Sequence, residues 1–148
     1  MEIKNLEELE SFAHDLSALL VEGDVVNLIG EMGAGKTTLT SLIAKELGID
    51  DSSSPTFALV NIYEGDKKIY HLDLYRLDDP DDILDIDFEE YFYPTDAISF
   101  IEWSVNAKDY LPDGMIDINI EKIDENTREL TISDESQRGR EINEHFSN

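Results

Sequence analysis

The chain contains no cysteine, which excludes disulfide frameworks, thiolate metal sites and a cysteine nucleophile. Basic residues are scarce and scattered: 11 Lys and Arg stand against 35 Asp and Glu, for a net charge of −24 and a pI near 4.1. Unaided grip on a nucleic-acid backbone rests on clustered cations that displace counterions, so this composition argues against it. Long apolar runs are missing as well. Residues 1–20 carry Glu2, Lys4, Glu7, Glu8, Glu10, His14 and Asp15, with neither a signal-peptide core nor an anchor. A soluble cytoplasmic protein without membrane contact is the expectation.

What is present suits a single domain over residues 1–148, with 41% apolar residues to fill one core and no linker or internal repeat. Asn5 and Glu8 form a helix-start pattern in which the glutamate reaches back to the cap's amide. Leu6, Leu9, Phe12, Ala13, Leu16, Leu19 and Leu20 follow as an apolar stripe, predicting a helix over 6–20. Gly23 ends it. The run 24–29 reads as a buried strand, and Leu39, Leu42, Ile43 and Leu47 mark a helix from Lys36 that Gly48 terminates. Runs 56–63 and 67–74 predict a hairpin. Eight of the thirteen residues from Asp78 to Glu90 are acidic, interleaved with Ile83, Leu84, Ile86 and Phe88, which predicts a short helix with a solvated face. A buried strand over 97–103 ends in Glu102-Trp103, a second hairpin pairs 115–123 with 128–132, and a weak helix containing Gly139 closes the chain.

Gly30-Glu31-Met32-Gly33-Ala34-Gly35-Lys36-Thr37 matches the phosphate-loop pattern and lies between a predicted strand and helix, the context its mechanism requires. Glycines let the backbone curl so that its amides point inward, and the helix start adds the positive end of a dipole. Lys36 then reaches the β and γ phosphates, and the Thr37 hydroxyl ligates magnesium. In so acidic a chain a triphosphate needs that cation. A second carboxylate for the metal comes from the end of a neighbouring apolar strand, and two qualify: Asp73 in His71-Leu72-Asp73-Leu74, and Glu102 after Ile98-Ser99-Phe100-Ile101. The chain has no Asp-x-x-Gly, and Asn106-Ala107-Lys108-Asp109 places its lysine one position late for a guanine-reading motif, so ATP is the expected nucleotide. Trp103 either stacks near the base or fills the core. The three histidines are too dispersed for a metal cluster, there is no Gly-x-Ser-x-Gly, and His71 is expected to be structural.

Taken together, residues 30–38, Ser54-Pro55-Thr56-Phe57, residues 70–77 and Ile101-Glu102-Trp103 resemble the bacterial TsaE family, formerly YjeE. The resemblance runs in order over about residues 5–140 and also takes in Leu111-Pro112 and residues 137–140. It implies a P-loop NTPase-like, three-layer α/β domain with a mostly parallel sheet plus antiparallel hairpins. The implied activity is slow, magnesium-dependent ATP hydrolysis that supports the TsaD and TsaB subunits in threonylcarbamoyl modification of adenosine 37 in tRNAs, with tRNA met only through those subunits. Carried over by position, Thr37 and Glu102 bind magnesium, Asp73 assists hydrolysis, and Ser54 and Thr56 form a switch-like segment beside the γ phosphate. Thr38 joins the nucleotide-binding loop, and Glu7 and Arg128 sit where the family contacts nucleotide. Three positions depart from the pattern. Glu31 stands for the usual Asp, Val105 for an acidic residue, and Asp87 for a Gly, where aspartate's tolerance of left-handed backbone is expected to preserve the turn.

Two other functions fit the same loop. One is a small-molecule kinase, disfavoured by the short chain and the lack of an arginine-rich lid. The other is a nucleotide-gated binding module without useful turnover. The acidic stretch 78–90 is expected to be a solvated face, with electrostatic docking on a basic patch of the TsaD subunit as the alternative.

Overall fold

The computed structural model describes residues 1–49 and 59–146; Ser54 and Thr56 lie outside them, as does the beginning of the first predicted hairpin. The elements in order are β1 (Glu2–Ile3), α1 (Leu6–Leu19), β2 (Val25–Ile29), α2 (Lys36–Glu46), β3 (Val60–Glu64), β4 (Lys68–Asp73), α3 (Phe88–Phe92), β5 (Ala97–Glu102), β6 (Ile116–Lys122), β7 (Arg128–Ile132) and α4 (Gln137–Phe146). All strands join one seven-stranded sheet in the order β1-β7-β6-β2-β5-β4-β3. The central four, β6-β2-β5-β4, run parallel, and antiparallel pairings add β3 at one edge and β7 with β1 at the other. That is the mostly parallel sheet with flanking hairpins that the sequence implies.

Burial explains the arrangement. Every residue of β5 is buried, as are the first four of β2, so both strands read as continuous rather than alternating apolar runs and belong at the centre of a covered sheet. On one face Leu9, Phe12 and Leu16 of α1, Leu39 and Ile43 of α2, and Ile142 of α4 pack over Val26, Leu28, Ile98 and Phe100. On the other, Leu74, Leu77, Ile83, Phe92 and Ala107 cover Val25, Tyr70, Leu72 and Ile101. Three layers result. Among the described residues, no helix is long and apolar enough to cross a membrane.

The start of α1 differs from its predicted cap in one detail. Asn5 Oδ1 accepts from the Glu8 amide at 2.8 Å, a cap worth about 1 kcal/mol. The Glu8 carboxylate, however, accepts from the amide of Lys4 rather than that of Asn5.

The acidic stretch is corrected more substantially. Instead of one short helix it forms a 3-10 segment over Pro80–Asp85, then an extended Ile86, then α3. Asp79 caps the first piece through Oδ1 to the Asp81 amide, and Ile83 anchors it in the core. Phe92 anchors the second. At Asp87, φ is −78° and ψ is 63°, and the Phe88 amide donates to the Ile86 carbonyl, which is an inverse γ-turn. No left-handed residue is needed there, so aspartate in place of glycine is unstrained. All eight acidic side chains are exposed, as expected of a solvated face. Two of them accept bonds from tyrosine hydroxyls, Asp81 from Tyr110 and Glu90 from Tyr70.

The C-terminal helix is held by a clip with no signature in the local sequence. Arg138 donates through Nε and Nη2 to the two oxygens of Asp24, at 2.9 and 2.8 Å, and Nη2 also donates to the Leu19 carbonyl. The pair raises the guanidinium's pKa further above its usual range. Asp24 is only 6% exposed, so Arg138→Ala strands a buried carboxylate. We expect a loss of about 2–3 kcal/mol in denaturant unfolding. An unchanged midpoint would show that the clip contributes nothing to the fold.

Candidate nucleotide-binding site

The loop 30–35 leaves the carboxyl end of β2 and enters α2, at the place where the sheet order reverses and β5 and β6 flank β2 on either side. In open α/β sheets ligands bind at such crevices. All three loop glycines are sterically required, Gly33 because its φ is +84°. A Cβ on Gly30 would come within 2.6 Å of the Ile120 carbonyl oxygen, and Gly35 holds φ at +111° as it caps α2. No side chain caps that helix start, so its first-turn amides, which lack partners within the helix, remain for a ligand.

Lys36 is folded inward. Its Nζ donates to the Gly30 carbonyl at 2.6 Å and lies 3.8 Å from the centre of the Trp103 ring. Burial lowers its pKa, against the opposing pull of Glu102 and Asp73. Trp103 has φ +60°, the only positive value on a non-glycine among the described residues. That conformation costs about 1–2 kcal/mol, and here it turns the ring toward Lys36 and Tyr75.

Both candidate carboxylates arrive at this edge, because the β4–β5 register sets Asp73 directly beside Glu102. Their surroundings differ. Glu102 is 3% exposed, and the Thr37 hydroxyl lies 3.2 Å from each of its oxygens. Asp73 is half-buried and accepts from the Tyr75 amide through Oδ1. A hydroxyl against a buried carboxylate that forms no close ion pair with a Lys or Arg among the described residues is a hard-oxygen donor set of the kind magnesium takes. The residues therefore fit the ion.

Two hollows meet at the loop. A cleft of about 270 Å³ is lined by Met32, Lys36, Thr37, Asp73, Glu102 and Trp103. A more apolar hollow of about 280 Å³ is lined by Ile3, Leu6, Leu9, Ile120, Asn126 and Arg128. Gly35 and Thr38 belong to both, so the hollows adjoin around the first turn of α2. Trp103 lines the first and not the second. Arg128 donates through Nε to the Ala34 carbonyl and through Nη1 to the carbonyls of Asp124 and Thr127, tying the glycine loop to the β6–β7 turn. Glu31 lies exposed on the loop, and Glu7 lies exposed on the first turn of α1, next to Leu6 of the apolar hollow.

Of the apolar hollow, whose walls come from β1, α1, β6 and the turn after it, sequence reasoning offered only Arg128 and the loop residues Ala34, Gly35 and Thr38. It also left out Tyr75, and it treated His71 as structural although His71 and Asp73 alternate on one strand face, the one available signal.

A strand, a glycine loop and a helix start without a side-chain cap, with carboxylates at the ends of two adjoining parallel strands, define an α/β protein of the phosphate-loop class. The model of the family described as "Threonylcarbamoyl adenosine biosynthesis protein TsaE" matches residues 3–130, and the chain belongs to that family, which acts in tRNA threonylcarbamoyladenosine biosynthesis. The TsaE of Haemophilus influenzae is 39% identical over 142 residues, covering 94% of this chain and 89% of its own. That of Treponema pallidum is 38% identical over 116 residues, covering 78% and 85%. The crystal structure of Bacillus subtilis YdiB superposes with a TM-score of 0.79 at 30% identity, over 99% of this chain and 92% of that one.

Proposed function

We propose that this chain binds ATP with magnesium and hydrolyses it slowly, in support of TsaD and TsaB subunits that place threonylcarbamoyl on adenosine 37 of tRNA in the cytoplasm. The observation that carries the nucleotide reading is the pair of adjoining hollows. One offers a glycine loop, a lysine and two carboxylates; the other offers apolar walls, and both share Gly35 and Thr38. A nucleotide spanning them sets its base against Leu6, Leu9 and Ile120 and its phosphates on the loop. Amides of residues 30–38 receive the phosphate oxygens, and Lys36 exchanges the Gly30 carbonyl for them. Thr37 and Glu102 would hold magnesium, which supplies charge neutralisation at the β and γ phosphates. Asp73, less buried and beside Glu102, orients the attacking water. Thr56, with Ser54, is assigned to the γ-phosphate side by resemblance alone.

The test measures ATP hydrolysis by the chain alone and with the two subunits. Turnover that rises in their presence supports an ATPase in their service, and tight ATP binding with no turnover in either condition favours a nucleotide-gated module instead. The field of the chain adds a second expectation. With a net charge of −24 and no basic cluster, the isolated protein should not shift tRNA on a gel at physiological salt, even at micromolar concentration. A discrete submicromolar complex would contradict indirect contact through the subunits.

A further inference from the structure

Glu102 has a second partner, and it comes from a residue that the phosphate-loop pattern does not include. His71 Nε2 lies 2.5 Å from Glu102 Oε2, with His71 at 8% and Glu102 at 3% exposure. The sheet produces this contact. β4 and β5 pair Asp73 with Glu102 and His71 with Phe100, so the Glu102 side chain turns back along the sheet to its diagonal neighbour instead of extending toward Asp73. An ionised carboxylate buried this deeply must be hydrogen-bonded. Since the carboxylate has only acceptor oxygens, the imidazole Nε2–H is the donor.

Resting on the nucleotide–magnesium reading above, we infer that His71 is a positioning residue: its Nε2–H fixes the Glu102 carboxylate in the orientation that presents it, with the Thr37 hydroxyl, to the metal. The bond to Oε2 restrains rotation about the last side-chain bond of Glu102, and Thr37 Oγ1 lies 3.2 Å from both carboxylate oxygens. Magnesium requires near-octahedral geometry and tolerates misplaced ligands poorly, so a carboxylate free to rotate binds it less well. Hydrogen-bond partners of metal ligands contribute on this scale elsewhere, where their loss costs about 10–100-fold in metal affinity. Asp73 cannot take over the task, because its carboxylate, like that of Glu102, has only acceptor oxygens and cannot donate the bond.

A purely structural histidine and a positioning histidine predict different outcomes. The measurement is calorimetric: affinity for ADP in EDTA, then affinity for ATP across a magnesium titration, with a thermal melt on each variant. His71→Leu keeps the volume and removes the donor. It should leave ADP affinity in EDTA unchanged and raise the magnesium concentration at the half-point of ATP binding by about 10–100-fold. His71→Gln, whose amide reaches to the depth of Nε2, should restore the half-point toward the wild-type value. His71→Asn, one bond shorter, should not. The Gln and Asn pair decides the matter even where the leucine variant fails to fold. An unchanged half-point in folded His71→Leu, or equal shifts in the Gln and Asn variants, overturns the inference. Wild-type protein that binds ATP equally well with and without magnesium overturns the metal reading itself, and this inference with it.

Discussion

Lys36→Ala is expected to abolish measurable ATP binding while leaving the domain folded. Each charge-assisted contact from the ammonium to a phosphate contributes about 1.5–3 kcal/mol, and two such contacts set the affinity back by more than about a hundredfold. The fold should scarcely notice. The ammonium is buried against the Trp103 ring with one carbonyl partner, and the burial that lowers its pKa is itself a cost. Removing it trades a lost hydrogen bond and a cation–π contact of about 0.5–2 kcal/mol against relief of that desolvation. Calorimetry with ATP and magnesium, together with a thermal melt, checks both halves. Unchanged affinity in a folded variant would remove the assignment of this loop to phosphate.

Glu102 and Asp73 should separate into different phenotypes although they are register partners. If Glu102 holds the metal, Glu102→Gln, which keeps the volume beside His71, should weaken magnesium-dependent ATP binding and leave binding of metal-free ADP intact. The loss should exceed the about 10–100-fold seen when only a ligand's hydrogen-bond partner is removed. Asp73→Asn should bind ATP nearly as the wild type does and lose about 10²–10⁴-fold in turnover, the range for removing a group that handles the proton of the attacking water. Titrating magnesium against both binding and rate distinguishes them. Interchanged results would mean that the half-buried aspartate holds the ion and the buried glutamate serves the water.

How far the sequence reached can be followed residue by residue. The α1 stripe, the strand before the glycine loop and the two hairpins depend on local periodicity, and each lies within a residue or two of its predicted bounds wherever the chain is described. The stretch 78–90 departed because its acidic residues suggest a solvated helix without revealing where the chain must bend. Ile83 and Phe92 reach the core from two short segments, and Pro80 and the turn at Asp87 separate them from a regular helix. The Arg138–Asp24 clip and the apolar hollow join residues more than a hundred positions apart, beyond any local pattern.

By itself the sequence determined the strand, glycine turn and helix start around residues 30–37, because they are contiguous and their geometry follows from local backbone preferences. It also determined the negative field, which depends on composition alone. It offered two strand-end carboxylates without showing how they lie relative to each other and to Thr37, and it left His71 without a partner. Tertiary structure decided those matters through strand order. β5 follows β4 in the chain but inserts between it and β2, which brings Glu102 beside Thr37, leaves Asp73 one strand further out, and sets His71 against the buried carboxylate. Which strand lies next to which is settled by the burial of whole faces, and no window of neighbouring residues carries that information.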